Sequence, residues 1–247
     1  MLKGNQRLVI FTITVIMLLI ASSSLPASAQ LSQWRSLNPT RDGTVGRIAP
    51  APYLYGVQML TASYGWAVGG TCDIFTPTGC PGSGFALYWD GARWRQALLP
   101  ASARTLTSVF IVGANDVWAV GMNATIIHWD GISWAAALVP AGTIDKIYSV
   151  FMLPGGMDGW AVGRDFGAVA NILRWSGTWP TGAWSVFAGP AGARDLRGIS
   201  LLSPAQGWAV GRAGTIFRWD GAGWNIVASP TTNDLFSVSV VGSADAW

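Results

Sequence analysis

At 247 residues, 51% hydrophobic and 11% charged, the chain can bury a sizeable core in one large all-β domain or two smaller ones, which excludes a disordered polymer. Fifteen Trp stand against two Lys, and all twelve acidic residues are Asp. The absence of Glu disfavours long exposed helices and removes one common catalytic acid.

The chain opens with Lys3 and Arg7, an uncharged apolar run over residues 8–20, and the small-residue triplet Ala27-Ser28-Ala29. This is the pattern of a secretory signal peptide over 1–29, with cleavage before Gln30. The run of thirteen residues is short of the roughly 20 that a membrane span needs. The reading is therefore a secreted, extracellular chain with no membrane span after cleavage. Losing Lys3 and Arg7 leaves thirteen basic residues against twelve Asp, a net charge of +1. No cationic stripe remains to attract nucleic acid or an anionic membrane surface.

Self-similarity then dominates residues 30–247, which read as one repeat-built domain. An opening apolar run occurs at Leu54-Tyr55-Gly56-Val57 and returns from Leu106, Ile147, Leu196 and Leu235. Next comes Gly65-Trp66-Ala67-Val68-Gly69, repeated at Val117, Gly159 and Gly207 and begun again at Ala246-Trp247. A Trp-Asp-Gly-x-x-Trp turn follows at Trp89, Trp129 and Trp219, and Trp175-Ser176-Gly177 stands in its place, with extra residues, before Trp184. Each unit closes on a proline: Pro100, Pro140, Pro190, Pro230. A period of about 40 residues with four strands per unit predicts an all-β propeller of four-stranded blades, four complete and one partial. Asp-Gly supplies the hairpin between the third and fourth strands, because Gly accepts positive φ and the carboxylate can bond the turn backbone.

The segment Trp34-Arg35-Ser36-Leu37-Asn38-Pro39 is like a fourth strand without the preceding three. It predicts a ring closed by a strand from the N-terminal end, incomplete at the C-terminus and five- to seven-bladed when whole. An open ring would expose sheet edges, and the 247-residue chain is expected to be poorly soluble or marginally stable. The completed ring is expected to be a monomer.

The Gly-Trp-Ala-Val-Gly segments and Trp-Asp-Gly-x-x-Trp turns over residues 52–247 resemble the photosystem II assembly-factor-like propellers and the wider sialidase-type repeat (BNR, Asp-box) superfamily. The turn differs from the usual family form in its shorter link between Asp-Gly and Trp. The resemblance implies a blade architecture. A sialidase role would further need an arginine triad and a tyrosine nucleophile activated by Glu, a residue this chain lacks.

Asp90, Asp130 and Asp220 share one turn position, which favours a structural role over paired acid-base catalysis. His128, the only histidine, is level with Tyr88, Arg174 and Arg218, as on a strand surface where long side chains keep their tips in water. Thirteen of the fifteen Trp occupy repeat positions where packing explains them, with Trp34 and Trp179 outside that set. Cys72 and Cys80, seven residues between them, read as a disulfide that staples a surface loop in an oxidising compartment, with a metal pair as the alternative. That loop is a twelve-residue insertion between the second and third strands of the first unit, and the third unit inserts four residues at the same joint. Insertions on one rim point to Asp73, Phe75, Arg164, Asp165, Phe166 and Arg212 as ligand-binding residues, the alternative being loops that bind nothing. The reading is a non-catalytic binding or assembly module for a protein or glycan ligand, with no cofactor and no metal. A sialidase-like glycosidase and a lectin are the alternatives.

Overall fold

The computed structural model describes residues 52–72, 74, 82–140, 145–164, 171–190, 194–242 and 245–246. The proposed leader over 1–29 and the Trp34 segment lie outside them. The described residues form four four-stranded antiparallel sheets and one two-stranded sheet. The first sheet comprises β1 (Tyr53–Thr61), β2 (Tyr64–Gly70), β3 (Gly84–Trp89) and β4 (Trp94–Gln96). The second comprises β5 (Leu106–Gly113), β6 (Asp116–Gly121), β7 (Ile126–Trp129) and β8 (Trp134–Ala136). The third runs β9 (Ile147–Met152), β10 (Asp158–Gly163), β11 (Asn171–Ser176) and β12 (Ala183–Ala188), and the fourth β13 (Leu196–Ser203), β14 (Gln206–Gly211), β15 (Ile216–Trp219) and β16 (Trp224–Ile226). Strand order within each sheet follows chain order. The remaining pair is β17 (Val240–Gly242) with β18 (Asp245–Ala246).

The repeat glycine that closes each Trp-Ala-Val-Gly segment is explained by backbone approach. A Cβ on Gly121 would lie 2.1 Å from the Thr105 carbonyl oxygen, and one on Gly211 would lie 2.0 Å from that of Asp195. No side chain fits there, so the opening strand can press directly on the second strand. The register shifts by one residue just beyond this contact, between Leu106 and Ser108 and again between Leu196 and Gly198, a β-bulge at the start of the opening strand.

The first strands of successive sheets lie against one another: β1 on β5, β5 on β9, β9 on β13 and β13 on β17. Cross-sheet hydrogen bonds fix this arrangement. Thr107 Oγ1 donates to the Ile147 carbonyl at 2.6 Å, and the Ile111 N–H donates to Gln58 Oε1 at 2.8 Å. Neighbours decide burial. Leu106, flanked by sheets on both sides, is fully buried, whereas Leu54 in the same repeat position on β1 is 45% exposed. The fifth opening run departs from expectation, since residues 235–238 are not strand and Phe236 is exposed, although Ser237 still packs beside Gly198.

Candidate functional site

The tryptophans hold one sheet to the next. Trp66 of β2 meets Trp129 and Trp134 of the second sheet at ring-centre distances of 5.2 and 5.0 Å. Trp118 meets Trp175 and Trp184 of the third at 4.6 and 5.6 Å, and Trp160 meets Trp219 and Trp224 of the fourth at 4.8 and 5.5 Å. Each of the three clasped rings is only 1% exposed, whereas Trp208 on β14 is half-buried. The first Trp of every turn motif also donates its Nε1 hydrogen to a carbonyl in the first hairpin of its own sheet: Trp89 to Ala62, Trp129 to Ala114, Trp175 to Gly156 and Trp219 to Pro204, at 2.8–3.2 Å. That donor explains why the position is Trp and not Phe.

The turn aspartates perform the role read from the sequence. Asp130 Oδ1 accepts from the N–H groups of Ile132 and Ser133 at 2.9 and 2.8 Å, and Asp90 and Asp220 repeat the pattern. Gly91, Gly131 and Gly221 turn the chain at φ +91°, +96° and +96°. These bonds favour the ionised carboxylates. A side-chain bond from Arg95, then backbone bonds from Arg93 and Ala92, hold Asp90 down at about 2, and backbone bonds alone lead the lowering at Asp130 and Asp220.

His128 departs from expectation. It is 3% exposed, with its ring between Trp118 at 4.5 Å and Trp179 at 4.7 Å, and its Nε2 is 2.9 Å from Asp116 Oδ1. Arg174 and Arg218 at the same position do keep exposed tips over an apolar ring, whereas His128 forms the buried wall of a crevice between sheets. In each sheet the residue at this position pairs across the strands with the Trp of the second strand: Tyr88 with Trp66, His128 with Trp118, Arg174 with Trp160, Arg218 with Trp208.

Comparing those crevices isolates one of them. Between the third and fourth sheets, Arg174 lies over Trp160 and Trp219 at 5.1 and 5.9 Å, held by Asp158 at 2.8 Å, and Phe187 stands edge-on to Trp160 at 4.9 Å. Between the second and third sheets, Trp179 from the longer hairpin of the third sheet packs edge-on against Trp118 at 5.7 Å and over His128. Between the first and second sheets nothing equivalent intervenes. Ala97 holds the place of Phe187, and the Asp116–His128 and Asp158–Arg174 pairs are replaced by Tyr64 and Tyr88. The result is an open cleft of about 630 Å³ with five aromatic rings in its lining, against about 320 Å³ beside Trp179 in the second crevice. Tyr64 fixes its floor: its hydroxyl accepts from Trp66 Nε1 at 2.9 Å and donates to the Ala114 carbonyl of the second sheet at 2.7 Å. Burial pushes that hydroxyl above its ordinary value, so it stays a donor at neutral pH. Leu98 and Ile132 stand at the mouth, 91% and 86% exposed.

The residues singled out from the insertions lie elsewhere. Asp73, Phe75, Cys80, Asp165 and Phe166 fall outside the described residues. Arg164 pairs with Asp145 at 2.5 Å, and both, with Asp195 and Arg197, act on the half-buried Tyr148, whose hydroxyl is pushed up by partial burial. Arg212 is exposed at the turn Arg212–Gly214, and its N–H donates to the Asp195 carbonyl at 2.8 Å. Arg164 and Arg212 thus stand on one rim, at the joints after β10 and β14, the first in an ion pair and the second exposed with its backbone N–H bonded. The aromatic cleft opens on the opposite rim, among the hairpin turns. Cys72 is half-buried, and its carbonyl accepts from Tyr55 at 2.9 Å. Among the described residues, no group of three or more His, Cys, Asp or Glu could hold a metal ion, and no helix is long and apolar enough to cross a membrane.

No protein-family profile and no curated protein matches the chain. Solved structures do. YCF48 bound to D1 peptide aligns at 19% identity over 79% of this chain with a TM-score of 0.54, and the chain spans 59% of that protein's length. The nidogen/laminin complex aligns at 12% identity over 78% of this chain and 70% of the other, with a TM-score of 0.55. The likeness is distant and lies at the level of the fold.

Proposed function

We propose that the chain is an exported, non-catalytic module whose sheets are the blades of a β-propeller and whose work is to bind a protein partner. The observation that carries this reading is the first crevice. It is open, aromatic and lined by no charged side chain among the described residues, where the corresponding places in the next two crevices are filled from within the chain. A cleft of this size and polarity suits apolar recognition, with few groups to polarise a substrate. In keeping with this, both structures named above are of complexes, one with D1 peptide and one of nidogen with laminin.

The reading is tested by placing a photo-reactive benzoylphenylalanine at Ile132, on the mouth of the cleft, and at Leu138, its exposed counterpart of Leu98 on the second sheet. A discrete protein adduct from Ile132 and none from Leu138 is expected. Glycan arrays and fluorogenic sialosides are expected to give no signal; binding on the array would favour the lectin reading and turnover the glycosidase. Export and the loop staple belong to the same proposal. The mature chain should begin at Gln30, and Cys72 and Cys80 should resist thiol labelling until reduced.

A further inference from the structure

The second crevice shows what kind of group the first one lacks. There the clasped Trp118 and its cross-strand partner His128 are in ring contact at 4.5 Å, and the indole of Trp179, carried on a hairpin, packs over His128 and edge-on to Trp118. In the first crevice the same two rings are present as Trp66 and Tyr88, themselves in contact at 5.7 Å. The hairpin that would cover them is absent, because the second sheet turns at the tight Asp130-Gly131 pair with no inserted residues. We propose that this cleft receives an aromatic side chain, foremost the indole of Trp, presented on a turn of a protein partner and laid over Tyr88 and edge-on to Trp66 as Trp179 lies over His128 and edge-on to Trp118. The proposal rests on the binding-module reading and gives it a partner chemistry.

The polar groups of the cleft favour an aromatic side chain over a sugar. Sugar sites combine a stacking ring with several side-chain hydrogen bonds to hydroxyls. Here the Trp66 indole N–H is committed to Tyr64, the Tyr64 hydroxyl to Ala114, and the Trp129 indole N–H to Ala114 as well. The lining holds no carboxylate, and its amide comes from Asn115 alone. Trp134 Nε1 has no partner, but neither do Trp184 and Trp224 in the same repeat position, so that atom is a feature of the clasp and not of a ligand site. An indole needs little more than one ring to lie over, another to meet edge-on, an apolar mouth and a way in. Leu98 and Ile132 provide the mouth, and their near-complete exposure gives a partner apolar surface to cover around the anchor.

The probe is 5-fluoroindole, followed by fluorine NMR against the full exported chain. Saturable broadening of the fluorine line is expected. Ala97→Phe copies the filling of the third crevice and should weaken binding by about tenfold or more, the loss of roughly 1.4 kcal/mol. Leu138→Ala, on the corresponding edge of the second sheet, should leave binding unchanged. Since the repeat already tolerates Phe at that position, the fold should survive; if Ala97→Phe melts early, Ile132→Asp at the exposed mouth takes its place. No saturable broadening, or binding that Ala97→Phe and Ile132→Asp leave intact, overturns the proposal. So does saturable binding of methyl glycosides in the cleft with none of indole. An adduct from Ile132 without indole binding would sink this inference alone, whereas the absence of both would sink the binding-module reading with it.

Discussion

The first and second crevices are built from the same parts and end in opposite states. Both have a fully buried Trp clasped by two Trp of the next sheet, and both have a hairpin aspartate that caps its own turn. They differ in four places: Tyr64 against Asp116, Tyr88 against His128, a turn without inserted residues against the Trp179 hairpin, and the cleft volume that follows. The clasp therefore belongs to the fold, and the variable wall belongs to whatever the crevice holds. A repeat protein can leave one crevice open without loosening its neighbour, since each sheet is held chiefly by the two beside it.

That separation can be broken by mutation. If the clasp is structural in both crevices, Trp66→Ala and Trp118→Ala should each cost about 3–5 kcal/mol, the range for deleting a buried Trp, as read from chemical denaturation. Unequal losses, with Trp66 nearly neutral, would mean that the first sheet is not held as the third is. Removing the built-in occupant should cost less. Trp179→Ala deletes a half-buried ring with three aromatic neighbours and is expected to lower stability by about 1–2 kcal/mol while the clasp remains. A loss as large as that for Trp118 would make Trp179 part of the scaffold instead of its lodger.

A smaller effect concerns the turns. Asp130→Ala removes the acceptor of two backbone N–H groups in the hairpin that carries Ile132, and should lower the melting temperature slightly while loosening the mouth of the cleft. The smallest is acid sensitivity. Asp90, Asp130 and Asp220 all have depressed folded values, so their contribution is complete above the ordinary 3.8 and is lost as pH falls below it, for Asp90 towards about 2. Melting temperatures taken across that window should fall with pH, and Asp90→Asn should flatten part of the fall. A flat profile in the parent protein would show that the turns do not depend on the charge.

Much of this was legible in the residues. The period, the Asp-Gly turns and the Trp-Ala-Val-Gly strands gave four four-stranded sheets in chain order, because each is a local pattern repeated. The crevices were harder to read, since each wall is shared by two repeats and no single unit contains it. Two signals were nevertheless present. Trp179 stood out as one of two tryptophans beyond the repeat set, and it turned out to be the one that fills a crevice. The variation Tyr88, His128, Arg174, Arg218 was visible too, and Arg174 and Arg218 do keep exposed tips, but the burial of His128 shows only once Trp179 of the neighbouring sheet is placed over it. Length differences drew attention to the insertion rim, and there Arg164 pairs with Asp145 while Arg212 stands exposed, whereas the open cleft lies on the other rim, where no insertion marks it.

The central claim is that the second crevice is the first with its occupant built in, and the stoichiometry of indole binding tests it most directly. Calorimetric titration of 5-fluoroindole should give one site in the parent chain and two in Trp179→Ala, the second appearing over His128 and against Trp118 and disappearing again when Trp is restored. An unchanged count in Trp179→Ala, in a protein that still melts cooperatively, would contradict the account.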